Sequence, residues 1–370
     1  MTSRPLVRPA PTALLAEPCG SRVTVVTGTY GDGHNAAGRE IARVLGDAGA
    51  DVTVVDVVDL MPWGLGRLLR SAYYAQLRWL PDSWTTTLEH LEPGRRLHTW
   101  STRALRSAAR PVAHAAAGSD LVISTHPFAS QALGHARRSG LVRVPAVTYL
   151  TDTSVHAMWV HPDIDLHLAI HDLAARQAVG HGGRATTIRP LVPVAVRAEA
   201  GRRADPLAGL EIVGPAALVT GGSLGIGELE QAARDIAATG VATPVVLCGT
   251  NGSLRSRLAG VPGVVALGWR DDVADLLASV SCVVQNAGGF TSLEALASGA
   301  PVISYRPIPG HGLANCAHLE QAGLVPWART PSELRGLLVQ ALDRPRVDRL
   351  PAGAPSVLEV LTGSRERVVA

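Results

Sequence analysis

Residues 282–305, CVVQNAGGFTSLEALASGAPVISY, decide the fold. A short apolar run with no polar face enters Asn286-Ala287-Gly288-Gly289. An alanine- and leucine-rich stretch over 291–299 follows, and a second apolar run closes the unit at 301–305. Strands apolar on both faces, joined through glycine turns and helices, belong to parallel sheets covered on both sides. The same alternation extends outward in both directions. Strands are expected at 23–27, 52–57, 121–125, 145–150 and 165–170, then at 217–221, 244–248, 264–268, 282–286 and 301–305. Helices are expected at 34–47, 128–139, 172–180, 228–239, 252–259, 271–279, 291–299, 313–322 and 331–342.

The chain has 370 residues, too many for one compact core and suited to two domains of about 150–200 residues each. The proline-bearing stretch 190–215 contains no strand–helix unit. The expected division is a flexible N-terminal tail over 1–20, a first domain over 21–195, a linker over 196–212, a second domain over 213–345 and a C-terminal tail or helix over 346–370. The fold class is α/β, with two doubly wound Rossmann-like domains facing a cleft. Ligands of such sheets bind outside the carboxyl ends of the strands, so residues just after strands are the site candidates.

All 34 basic side chains are arginine, and the chain has no lysine. That excludes Schiff-base chemistry and the lysine-bearing phosphate loop. Net charge is only +3, yet residues 61–110 hold eight arginines against Asp82, Glu89 and Glu92, a local +5. Trp63, Tyr73, Tyr74, Trp79, Trp84 and Trp100 share this segment. A helix over 64–80 would group Leu65, Leu68, Leu69, Ala72 and Tyr73 on one side, facing either core or interface. Basic and aromatic together, the segment suits an anionic membrane surface or an amphiphile. It lacks any recognisable nucleic-acid module, so no nucleic-acid partner is expected.

The four cysteines are scattered, the start lacks a signal-type apolar region, and no apolar run reaches membrane-spanning length. Free thiols and a cytoplasmic location are expected, peripheral on the inner face of the cell membrane if residues 61–100 meet lipid.

The first strand runs into Gly28-Thr29-Tyr30-Gly31-Asp32-Gly33-His34-Asn35-Ala36. Gly31-x-Gly33-x-x-Ala36 fits a dinucleotide fingerprint, with Asp56 closing the next strand where a ribose-binding acid belongs. Alternatively, His34 opens the helix as a neutral general base. In the second half, Thr220-Gly221-Gly222-Ser223 and Asn286-Ala287-Gly288-Gly289-Phe290-Thr291 present backbone N–H groups at helix starts. A diphosphate can be held there without lysine. Glu294 lies one turn further, where its carboxylate could accept from ribose hydroxyls.

Residues 286–323 resemble the nucleotide-sugar signature of GT-B glycosyltransferases of family 28. Residues 31–92, with G-x-G-H-x-x-A-A, VTVVDVVDL and LRWLPDSW, resemble monogalactosyldiacylglycerol synthases and processive diacylglycerol glucosyltransferases. So do Ser124-Thr125-His126-Pro127 and the stretch Tyr149–Asp152 … His156 … Trp159–His161 … Asp165. The resemblance implies a hexosyltransferase that moves sugar, with inversion, from a UDP-sugar to a hydroxyl of a lipid or amphiphilic acceptor, with no cofactor or catalytic metal. The first domain would bind acceptor and the second donor. His34 would be catalytic. Gly221, Gly222, Ser223, Trp269, Arg270, Gly288, Gly289, Thr291, Glu294, His311 and Asn315 would bind donor. Gly33, His126, Asp152 and His156 would bind acceptor. One departure stands out. Where the family places Gln-Glu or Gln-Gln toward the sugar, this chain has Pro309-Gly310-His311-Gly312, then Asn315, which leaves the sugar open.

Rival readings are transfer to a soluble natural-product aglycone, a UDP-GlcNAc 2-epimerase-like isomerase, and a nicotinamide oxidoreductase using the first loop. The histidines at 156, 161, 167, 171 and 181, interleaved with acids, suggest zinc by composition. However, no H-x₃-H pair shares a helix, and no metal site is expected.

Overall fold

The computed structural model describes residues 13–193, 205–350 and 353–363. Residues 1–12, much of the expected linker and the last seven positions lie outside the described residues. Two parallel sheets of six strands each make up the framework. The first sheet contains β1 Arg22–Thr27, β2 Asp51–Asp56, β3 Leu121–Ser124, β4 Ala146–Tyr149, β5 Leu166–Ala169 and β6 Ala185–Thr187. Its order is β2-β1-β3-β4-β5-β6. The second contains β7 Ala216–Thr220, β8 Thr243–Leu247, β9 Val265–Leu267, β10 Cys282–Gln285, β11 Val302–Tyr305 and β12 Trp327–Ala328, in the order β12-β11-β10-β7-β8-β9.

The central strands β3, β4, β5, β7, β8, β10 and β11 are buried at every residue. That burial on two faces explains why they read as unbroken apolar runs rather than alternating ones. Of the four edge strands, β6 and β12 had no such signal. At three and two residues they are too short to show a period, and only pairing with β5 and β11 makes them strands.

Strand order positions the site. In the first sheet the chain reverses direction across the sheet between β1 and β3, and in the second between β7 and β10. Loops leaving adjacent strands at such a switch diverge to opposite faces and leave a crevice. The loops there are Gly28–Gly31 and Thr125–His126 in the first domain, and Gly221–Gly227 and Asn286–Gly289 in the second.

The first and last described segments pack against each other. Leu14 and Leu15 are buried, and their backbone N–H groups donate to the Leu361 carbonyl at 2.8 and 2.9 Å. The helix Val357–Thr362 closes against the first domain, and the Arg189 N–H donates to Pro355 O at 2.8 Å. Residues 13–20 are therefore not a loose tail. Burying each of these leucines contributes about 1.5–3 kcal/mol, enough to hold a short strap in place.

The helix expected over 64–80 is Leu65–Trp79, and two further helices, Ser83–His90 and Arg96–Leu105, follow it. One assignment within Leu65–Trp79 is corrected. Leu65 and Leu69 pack on the core, but Leu68 is exposed, together with Trp63, Trp79, Leu80 and Trp100. Leu68 lies a full 100° from Leu69 on the helix, outside the arc that contacts the domain. No helix among the described residues is long and apolar enough to cross a membrane.

Candidate active site

A cavity of about 620 Å³ opens between the carboxyl ends of the two sheets. Three walls enclose it. The first domain contributes the loops after β1, β3 and β4, the second contributes both glycine turns, and the helices of 65–105 close one side with leucine and aromatic side chains.

His34 is the third residue of the helix Asp32–Asp47, which Gly31 starts at φ 143°, a backbone angle that favours glycine. Its Nδ1–H donates to the Thr125 carbonyl at 2.9 Å, and Thr151 Oγ1 lies 2.9 Å from the same nitrogen. A neutral imidazole has one donor and one acceptor nitrogen, so Nε2 is the basic atom. Burial pushes the His34 pKa below the usual histidine range, against an opposing pull from the Asp152 carboxylate. The ring is therefore neutral and basic at pH 7.

Three more histidines line the same cavity: His126, His156 and His311. His126 Nδ1 accepts from the Phe128 N–H at 3.1 Å, which leaves Nε2 as its donor. Its ring stacks on Tyr30 at 4.8 Å and meets His34 edge-on at 4.6 Å. Burial lowers the pKa of His126 strongly and that of His156 to about 4. The His156 Nδ1 and the Tyr30 hydroxyl are buried without a hydrogen-bond partner in the protein. Polar atoms so placed beside a cavity are suited to a polar ligand. Asp152 anchors this side, accepting from Trp159 Nε1 at 3.2 Å and from Asn315 Nδ2 at 3.3 Å.

Across the cavity, Gly289 precedes the helix Phe290–Ala297, and Gly288 sits at φ 66°. A Cβ on Gly288 would come within 2.6 Å of the Asn315 Cβ, so the turn accepts only glycine. Thr291 and Glu294 line the cavity, and burial with Asp32 nearby pushes the Glu294 carboxyl up to about 7. Gly221, Gly222 and Ser223 form the second turn, and Ser223 Oγ accepts from the Asp32 N–H at 3.3 Å, bridging the domains. Gly33 faces Phe290 from the other side, with its Cβ position 3.3 Å away. Trp269 is exposed at the rim, and its Nε1 donates to Asp271 at 2.9 Å. Arg270 is the one arginine among the described lining residues, and its guanidinium is engaged by Asp272. The described lining residues thus hold no unpaired arginine, and within the glycine turns the Gly222 N–H donates to Thr220 Oγ1 at 3.3 Å and the Gly288 N–H to Gln285 Oε1 at 2.5 Å.

Two sequence expectations change here. Asn315 does not line the cavity. It is fully buried, its Oδ1 accepts from the Ser154 N–H at 2.8 Å and Ser154 Oγ at 2.7 Å, and its Nδ2 donates to Ala287 O at 3.1 Å. With its amide occupied by protein groups of both domains, it braces the cleft instead of contacting a donor. Asp56 is likewise unavailable as a ribose acid. It accepts from the Thr29 N–H at 3.0 Å, from the Thr29 hydroxyl and from the Val58 N–H at 2.8 Å. The dinucleotide reading of the first loop loses its defining acid. The five spaced histidines do not converge either: His167 is buried in β5, and among the described residues no group of three or more His, Cys, Asp or Glu is placed to hold a metal.

Sequence reading missed Tyr30, Tyr73 and Trp84 as cavity wall, and Thr125 and Thr151 as the anchors of His34. The anchors lie 91 and 117 residues from His34, and no local pattern announces such pairs.

The chain is similar to known proteins over most of its length. Residues 34–194 match the family described as monogalactosyldiacylglycerol (MGDG) synthase. Among curated proteins, the chain is similar to processive diacylglycerol beta-glucosyltransferases of Bacillus thuringiensis (strain Al Hakam) and Bacillus cereus (strain AH820). Each is 24% identical, with 85% of this chain and 83% of the relative covered. Among solved structures, the Streptomyces sp. SF2575 glycosyltransferase SsfS6 superposes with TM-score 0.54 at 17% identity, covering 87% of this chain and 95% of that one. SnogD from Streptomyces nogalater gives 0.54 at 16%, covering 90% and 96%. Residues 34–194 are thus similar to the MGDG synthase family, and the chain shares the two-sheet fold of these solved glycosyltransferases.

Proposed function

We propose that the protein transfers a hexosyl group, with inversion, from a UDP-sugar to a hydroxyl of a lipid acceptor of the diacylglycerol class. The observation that carries this reading is His34, whose Nδ1 is fixed on the Thr125 carbonyl so that Nε2 is the base in a cavity shared with two glycine turns. In the reaction, Nε2 takes the proton of the acceptor hydroxyl as its oxygen bonds to the anomeric carbon. The bond to the diphosphate breaks, and its electron pair leaves with UDP. The Gly221–Ser223 turn and the start of the helix Phe290–Ala297, at Gly289–Thr291, stabilise that departing charge. Glu294 receives the ribose, and the rim at Gly268–Asp271 receives the base. His126, Asp152 and His156 surround the acceptor hydroxyl.

The lipid class is supported by the diacylglycerol-acting relatives and by the apolar wall of Leu69, Leu77, Leu88, Leu91 and Leu97. Exposed Trp63, Leu68, Trp79 and Leu80 beside exposed Arg67 and Arg78 suit a peripheral position on the anionic cytoplasmic leaflet. No cofactor enters this scheme, so turnover should be indifferent to EDTA.

The test is a screen for UDP release from UDP-glucose, UDP-galactose and UDP-GlcNAc, with and without diacylglycerol in mixed micelles. Lipid-dependent release with a glycolipid product supports the reading. Release only with soluble aglycones, or sugar interconversion without acceptor, refutes it.

A further inference from the structure

His311 lies in the 309–312 loop that departs from the family pattern, and its side chain accepts a hydrogen bond from the other domain. The Trp84 indole Nε1–H donates to His311 Nδ1 at 3.0 Å, across 227 residues of sequence. The contact is closely seated. Gly310, at φ 74°, has no room for a side chain, since a Cβ there would come 2.6 Å from Trp84 Cδ1 and 2.9 Å from Leu88 Cδ1. Trp84 also meets Tyr73 edge-on at 4.9 Å. Both Trp84 and His311 line the cavity. Because Nδ1 accepts, the neutral ring must carry its proton on Nε2.

We propose that Trp84 is a positioning residue for the sugar of the donor: it holds His311 as an Nε2–H donor toward a sugar hydroxyl, so the sugar subsite of the second domain is complete only when the first domain's helix Ser83–His90 is docked. This rests on the transfer reading above. The helix Ser83–His90 is in turn tied to Leu65–Trp79, because Gln76 Nε2 donates to Ser83 Oγ at 2.9 Å and Thr87 Oγ1 at 2.7 Å. Leu65–Trp79 carries exposed Leu68 and Trp79. Seating of the lipid-facing helices and capture of the sugar thereby become one event. The donor's nucleotide can bind the second domain alone, while its sugar is gripped only when the acceptor side is in place.

The experiment measures Kd of the full-length protein for UDP, UDP-glucose and UDP-galactose by calorimetry, with the His311 tautomer read from long-range ¹H–¹⁵N imidazole spectra. Trp84→Phe keeps an aromatic ring and removes the N–H. It should leave UDP affinity within about twofold, weaken the preferred UDP-hexose by about tenfold, the worth of roughly one hydrogen bond, and mix the His311 tautomers. In a His311→Gln background, where the side chain donates without help from Trp84, the same change should have little effect. Equal losses for UDP and UDP-hexose, an unchanged tautomer, or a tenfold loss that persists beside His311→Gln each overturn the inference. Failure of the wild-type protein to bind UDP overturns the transfer reading, and this inference with it.

Discussion

His34 shows how much one side chain can be decided by its surroundings. Its position at the start of a helix after β1 is a matter of sequence, but its usefulness as a base depends on two contacts. The Thr125 carbonyl selects the tautomer, and burial keeps the ring neutral. His34→Ala should cut turnover by about 100-fold or more, as loss of a general base does; unchanged turnover in a folded variant rules out the role. The acid limb of kcat/KM should lie below the usual histidine value of about 6.5, because a depressed pKa keeps the base form at lower pH. Asp152 raises the His34 pKa by its charge. Asp152→Asn should therefore move that limb to still lower pH, and a shift upward would contradict the assignment. The His34 candidate and its glycine turn were legible because such turns are local. Thr125 and Thr151 were not, since pairing across the sheet leaves no mark on neighbouring residues.

At the scale of elements, the helix Phe290–Ala297 and its glycine turn form the proposed donor side. Gly288→Ala would add a Cβ at positive φ and against Asn315. The cost at such a position is at least about 1–2 kcal/mol, and the variant should show a lower melting temperature together with weakened UDP binding. Glu294 offers a pH-dependent check. Its folded pKa, about 7, is raised above the ordinary carboxyl value. The neutral acid is thus the form the fold favours, and its contribution to stability is lost as pH rises toward 7 and beyond. Glu294→Gln should raise the melting temperature at pH 8 and change it little at pH 4. If ribose hydroxyls bind the carboxylate, wild-type UDP affinity should fall as pH drops below 7. The Gln variant should lack the Glu294 share of that fall, so identical pH profiles would refute the ribose role. The corrected Asn315 belongs here too. The sequence placed it one helical turn after His311, on a helix pointing at the cleft, yet its amide faces Ser154 and Ala287 because the domain interface lies on that side.

For the whole molecule, the meaningful charge is the basic, aromatic segment of the first domain, with Trp63 95% and Trp79 71% exposed. Each arginine near an anionic leaflet contributes about 1 kcal/mol, screened within a Debye length. The protein should co-sediment with phosphatidylglycerol-containing vesicles at low salt and release as NaCl approaches 0.5 M. Trp63→Ser/Trp79→Ser should weaken that binding while leaving UDP affinity intact. Absence of vesicle binding at every salt concentration would favour a soluble acceptor.

Both sheets, ten of their strands and the placement of the glycine turns were determined by sequence alone, because burial on two faces and strand-to-helix turns impose local patterns of residue type. Tertiary structure alone decided which loops converge at the β1/β3 and β7/β10 switches, which nitrogen of His34 is basic, and that Trp84 reaches His311. Those outcomes depend on contacts between residues roughly one hundred or more positions apart, whose geometry exists only once the two sheets face one another.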